Sequence, residues 1–290
     1  MVAEVILDVR TPRRWLASFA LAWLALPTSA QTLARFAPAE LESAGPGALE
    51  LRFVRESTRS IELQPWPERE VGWLFVREEG TQHNHDALTP FAQEPTRLRL
   101  ERDGPGPLLV GWDLPPRVER MHPVELRAFL AERTSHESMP RELEVLGNET
   151  VLVQRLESLA LAVRSGDDSA TAAEPSAIAT SKSGQRMELR ALFDPSFLQA
   201  GSVFAFKLYL PEGGTENVIC RAVHLTSRDS RALERLPDGS LHVKLEQAGP
   251  WMLEASRLRA LDGASGAALE LASSTLVFVV RPAARAGGGR

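Results

Sequence analysis

The sequence predicts a mainly β protein built from two β-sandwich-like modules, the C-terminal one immunoglobulin-like, with one short helix in the N-terminal module. Three observations predict it. Apolar and polar residues alternate at period two in both halves of the chain, the pattern of half-buried strands. Pairs rich in Gly, Pro and Asp recur between these runs, where turns are needed. One stretch, residues 122–133, carries the 3.6-residue period of a helix.

Taken in order, the chain opens with Arg10, Arg13 and Arg14, followed by an apolar run over residues 15–26 (WLASFALAWLAL). Pro27 ends the run, and Thr28-Ser29-Ala30 places small residues where a signal peptidase reads. Residues 1–30 are therefore expected to be a secretory signal, with the mature chain starting at Gln31 in a periplasmic or secreted location. The run is too short to span a bilayer. Arg13-Arg14 also fits a twin-arginine signal, although Pro12 stands where a small hydroxyl residue is expected, so both export routes stay open. No later stretch approaches membrane length, and no membrane span is expected in the mature chain.

Composition narrows the function classes. Cleavage removes three basic and two acidic residues, which moves the net charge from −5 to −6. A mildly acidic chain without a basic block is a poor nucleic-acid binder, and no nucleic-acid partner is expected. Cys220 is the single cysteine, so no intrachain disulfide can form and packing must hold the chain together.

Residues 165–184 (SGDDSATAAEPSAIATSKSG) are dense in Ser, Ala and Thr and hold one large aliphatic residue, Ile178. That composition reads as a linker. It divides the mature chain into an N-terminal β-rich module, 31–164, and a C-terminal module, 185–282, followed by a flexible tail, 283–290. In the first module, Leu49, Leu51 and Phe53 alternate with Glu50 and Arg52, as Leu98 and Leu100 do with their arginine neighbours. Residues 71–76 (VGWLFV) and 108–112 (LLVGW) read as central strands. The helix has Pro123 in its first turn and an apolar stripe of Leu126, Phe129 and Leu130. In the second module, Phe204, Phe206, Leu208 and Leu210 point inward, with Lys207 and Tyr209 outward. Leu241, Val243 and Leu245 point inward, with His242 and Lys244 outward. Trp251, Leu253 and Ala255 form a third inward set, and residues 276–280 (LVFVV) a buried strand. About seven strands in about a hundred residues predict an immunoglobulin-like sandwich.

The run Asp194-Pro195, Leu198, Gly201, Asp238-Gly239, Ala248-Gly249-Pro250-Trp251 and residues 274–278 (STLVF) resembles a secreted bacterial family catalogued as domain of unknown function 4198. Residues 108–112, the helix and residues 155–164 are similar to it as well. Some members of that family carry a nickel- or cobalt-uptake label, and the resemblance implies a sandwich fold more than an activity. Relatives often carry a histidine directly after the signal and another after the tryptophan strand. The matching places here hold residues 31–36 (QTLARF) and Arg257, neither offering an imidazole.

The local metal candidates are His83, His85 and Asp86. On a strand the two imidazoles share a face, and Asp86 can add an oxygen, but a third ligand must come from elsewhere, such as His122 or His136. A solvated loop fits the same residues. Trp66, between Pro65 and Pro67, fits either a ligand-binding surface or the edge of a core. Cys220 and His224 share a strand face but sit roughly 13 Å apart along it, which favours a buried thiol over a nucleophile with its base. No Gly-x-Ser-x-Gly, His-Glu-x-x-His or phosphate-loop motif is present. The expected function is an exported, non-catalytic binding or interaction protein, without a cofactor, whose partner is a protein or small ligand of the cell envelope. A periplasmic nickel- or cobalt-handling accessory protein is the alternative, and a hydrolase with an unrecognised carboxylate site the second alternative.

Overall fold

The computed structural model describes residues 33–36, 48–56, 61–63, 73–78, 81–84, 98–101, 106–134, 140–144, 146–165, 175–210, 217–233, 235–262 and 266–283. The expected signal, residues 1–30, and nearly all of the expected tail lie outside them. The described strands of the first half are β1 (Leu33–Phe36), β2 (Ala48–Leu51), β3 (Phe53–Glu56), β4 (Ile61–Leu63), β5 (Trp73–Glu78), β6 (Thr81–Asn84), β7 (Leu98–Glu101), β8 (Gly106–Asp113), β9 (Arg117–Met121) and β10 (Val151–Ser165). The helix α1 (Pro123–Ala131) separates the last two. The second half adds β11 (Glu188–Ala191), β12 (Val203–Tyr209), β13 (Val218–His224), β14 (Ser230–Ala232), β15 (Ser240–Lys244), β16 (Gly249–Ala260) and β17 (Leu269–Val280). The protein is mainly β, as its alternation predicts.

The last seven strands form a three-on-four sandwich. One sheet runs β11-β12-β15, and β14-β13-β16-β17 packs beneath it. Leu189, Phe204, Phe206, Leu208, Leu241 and Val243 from the first interlock with Ala222, Trp251, Leu253, Leu276 and Phe278 from the second. This is the architecture of immunoglobulin-like domains. The inward residues expected on β12 and β15 are buried, except that Leu210 is half-buried just past the strand.

Three expectations are corrected. First, the two modules are not separate. β10 pairs in parallel with β17, from Val153↔Leu269 to Leu161↔Val277, and antiparallel with β8 and β9 on its other edge. A single sheet of order β14-β13-β16-β17-β10-β8-β5-β6 therefore crosses the presumed boundary. The physical reason lies in β17, which is buried on both faces apart from Val279. An unpaired edge there would strand a row of backbone donors and acceptors away from water. β10 supplies the missing partner, and its apolar residues on both faces suit a strand covered on both sides.

Second, much of the expected linker is folded. β10 runs to Ser165, and Ile178–Thr180 forms a 3-10 turn with Ala179 buried. Arg77 Nη1 donates to Ser181 Oγ and to the Lys182 carbonyl, both at 2.6 Å. Gln185 Nε2 donates to the Leu159 carbonyl at 2.9 Å. Small side chains let this segment lie close to the sheet, and polar contacts satisfy its backbone in place of a large apolar face. Residues 166–174 lie outside the described residues. Third, the alternation through Leu49, Leu51 and Phe53 does not mark one strand. It breaks at Arg52 into β2, which pairs with β7, and β3, which pairs with β1 and β4.

The helix forms as its sequence predicts. His122 is its N-cap: Val124 N donates to His122 Nδ1 and His122 N donates to Glu125 Oε2, both at 3.2 Å. Pro123, Leu126, Phe129 and Leu130 are its buried face. Leu126, Phe129 and Leu130 pack with Val153, Ile219, Leu258 and Leu271 on the large sheet.

Candidate functional site

The metal candidates are not assembled by the described structure. His83 lies on the edge strand β6, opposite Val76 of β5. His85, Asp86, His136 and Trp66 lie outside the described residues, and His122 is occupied as the helix cap. Among the described residues no group of three or more His, Cys, Asp or Glu side chains is placed to hold a metal ion. Arg257 donates to Glu270 Oε1 at 3.1 Å.

A row of charges is buried on the helix-bearing face of the large sheet, unforeseen from the sequence. Glu157 takes Arg155 at 3.2 Å, Arg117 at 2.9 Å and Arg55 at 3.2 Å, and accepts from Ala34 N at 3.3 Å. Burial alone would raise its pKa, but Arg155, Arg55 and Arg117 together outweigh that and hold it at about 2. Glu254 is gripped by Arg133 at 2.5 Å and Arg221 at 2.6 Å. Buried Arg35 and, from the surface, Arg228 both pair with Glu56. These groups fasten β1, β3 and α1 to the sheet, so their chemistry is spent on structure.

A second polar group resembles a catalytic triad in composition only. His224 Nδ1 is 2.8 Å from Ser227 Oγ, and Ser227 Oγ donates to Asp229 Oδ2 at 2.7 Å. His224 Nε2 donates to the Ala248 carbonyl at 3.1 Å. In a triad the carboxylate orients the imidazole; here it holds the serine instead. The cluster fastens the turn after β13 to the start of β16. Gln247 Nε2 donates to Asp229 at 2.6 Å, and Trp251 Nε1 donates to the Gln247 carbonyl at 3.0 Å. Gly249 has φ +122°, and a Cβ there would sit 2.9 Å from His224 Nε2. The glycine of the Ala-Gly-Pro-Trp run is thus required by backbone conformation and by the imidazole beneath it. Cys220 is buried, and burial pushes its thiol up to about 12, with Arg235 lowering it and Glu254 raising it further.

The solvent-facing side of β11-β12-β15 carries the one described arrangement suited to recognition. Leu189 and Ala191 face the core, and Glu188 and Arg190 lie on the opposite face of the strand, across from Tyr209 and Lys207 of β12, with Glu188 buried and Arg190 half-buried there. Tyr209, the chain's single tyrosine, is 39% exposed. The Arg190 guanidinium lies 3.9 Å from the centre of its ring. Arg190 Nε donates to Glu188 Oε1 at 2.8 Å, and Glu188 also accepts from Ser183 N at 2.9 Å and Gly184 N at 3.1 Å. Burial alone would raise the Glu188 carboxyl, but Arg190 and these two amides hold it below its ordinary value. Aromatic ring and guanidinium are thereby fixed before any ligand arrives. The alternation places Lys207 and Tyr209 outward, but nothing in the sequence marks their pairing with Arg190.

No family model matches the chain, and no curated protein matches it. Among solved structures it is similar to the fibronectin(III)-like modules of Clostridium thermocellum CbhA, at 9% identity, covering 89% of this chain and 98% of that one, with a TM-score of 0.20. At that score the likeness bears no weight, and the sandwich rests on the strand order given above.

Proposed function

We propose that this chain is an exported, non-catalytic binding or interaction protein of the cell envelope, which recognises its partner through the outer face of the β11-β12-β15 sheet. The observation that carries the proposal is the exposed Tyr209 ring, stacked by Arg190, which Glu188 holds in turn. An exposed aromatic ring beside a half-buried arginine, both already ordered, binds at low entropic cost, and both residue types are enriched where binding energy concentrates. Export is supported by the charged entry, short apolar run and Thr-Ser-Ala ending of residues 1–30. Cleavage after Ala30 would leave every described strand in the mature chain. Kinship with the family catalogued as domain of unknown function 4198 belongs to the same proposal, supported by the quoted residues and by the constraint on Gly249.

The mature chain is to be titrated against a panel of envelope polymers and acidic and neutral oligosaccharides. At least one is expected to bind saturably, and about tenfold more weakly to Tyr209→Ala of unchanged melting temperature. Absence of saturable binding across the panel, or indifference to the substitution, overturns the assignment of this face. N-terminal sequencing of the exported form is expected to begin at Gln31; an uncleaved cytosolic protein overturns the export proposal.

A further inference from the structure

The same face places two cations directly opposite each other. Arg190 of β11 and Lys207 of β12 are register partners in an antiparallel pair, with both side chains half-buried on the face turned away from the core. Directly opposed residues hold their Cβ atoms about 4.5–5.5 Å apart, and like charges so placed destabilise a sheet. Glu188 offsets one of the two charges, at the Arg190 Nε edge. Its carboxylate is otherwise taken up by the amides of Ser183 and Gly184. Lys207 makes no ion pair among the described residues. Asp238 feels its charge but is engaged with Ser240, whose N and Oγ donate to Oδ1 at 2.9 and 2.6 Å. On the other neighbouring strand, Lys207 faces Ser240.

The position of Arg190 gives this pairing a purpose. Its Nε is anchored by Glu188 and its plane is fixed against Tyr209, while Nη1 and Nη2 hydrogen-bond to no described residue. A guanidinium held by one edge and one face presents its remaining fork in a fixed direction, the geometry that receives a carboxylate or phosphate through two parallel bonds. An ammonium on the next strand can close on the same oxyanion from the side. We propose that Arg190 and Lys207 form an oxyanion subsite, beside the Tyr209 ring, for a ligand bearing a carboxylate or phosphate group. This rests on the reading of the outer face as a recognition surface and names the chemistry that surface takes. The unfavourable cation pair is then stability given up for binding, as functional sites often show.

The test uses backbone amide NMR and thermal unfolding of the mature chain at low ionic strength. Sodium phosphate and sodium malonate are titrated separately, with sodium chloride at matched ionic strength as the control. Saturable shifts centred on Arg190, Lys207 and Tyr209 are expected with phosphate, malonate or both, and none with chloride; the salt that saturates at lower concentration identifies the oxyanion. Arg190→Gln is expected to weaken binding about tenfold. Lys207→Glu, which would pair with Arg190 across the strands, is expected to abolish binding and raise the melting temperature together, a combination that a merely structural lysine would not give. Shifts equal to those in chloride, or a lower melting temperature for Lys207→Glu, overturn the subsite. If a polymer still binds in a Tyr209-dependent way after that result, the recognition face stands and the oxyanion chemistry alone is lost.

Discussion

At the level of single residues, burial decides what each ionisable group can do. Cys220 sits in the sandwich core with its thiol pushed up to about 12. It is expected to resist thiol-directed reagents in the native protein and to react fully once unfolded. Rapid native labelling would place it at the surface. Glu157 works the opposite way. Its carboxyl is held at about 2, below its unfolded value of about 4.3. A depressed folded pKa contributes stability that is fully present above the unfolded value and is lost as pH falls through the folded one. Wild type is therefore expected to exceed Glu157→Gln in stability at pH 7, with the gap narrowing as pH falls from about 5 to about 2. Denaturant melts of both proteins across that range check it, and a gap that does not change with pH would remove the ionic role. Little of this was legible in the sequence. Arg155 and Glu157 alternate with Leu156 and Ser158 like an ordinary solvated strand face. Only the elements laid across that face, β1, β3 and α1, make them interior.

At the level of elements, local patterns were readable wherever one face meets the core and the other meets water. β12, β15 and α1 bury the residues their periods predict. Alternation says less where a strand is covered on both sides. Trp251, Leu253 and Ala255 face inward as expected, but Met252, Glu254 and Ser256 are buried as well, because the second face of β16 lies under the helix and the N-terminal strands. Trp251 is 1% exposed, with its indole N–H bonded to the Gln247 carbonyl. Trp251→Ala is expected to cost about 3–5 kcal/mol. Gly249→Ala is expected to cost about 1–3 kcal/mol, since it combines an unfavourable φ with a clash against His224. Urea denaturation measures both. A loss below about 1 kcal/mol for the tryptophan would mean that its ring is not the anchor of the core.

At the level of the whole molecule, the sequence points to two bodies, whereas the structure runs one large sheet through both halves. The composition of residues 165–184 is that of a linker, and composition cannot reveal that β10 on one side of it pairs with β17, more than a hundred residues away on the other. Parallel pairing of distant strands leaves no turn signature, because no tight turn joins them. Neither half is complete without the other. The sandwich core includes Phe75, Leu109, Ala160 and Ala162 from the first half, and a lone second half would leave the buried edge of β17 open. A chain carrying a specific protease site between Ala170 and Thr171 should therefore survive cleavage as a noncovalent complex. Its two fragments are expected to co-elute in size-exclusion chromatography at the size of the intact protein and to unfold together. Separated in denaturant, neither is expected to refold cooperatively alone, because each would face water with strands built to be covered on both sides. Mixing them before denaturant is removed should restore the complex. Two independently melting fragments after native cleavage would show that the β10–β17 seam contributes little, and would return the molecule to a pair of tethered modules.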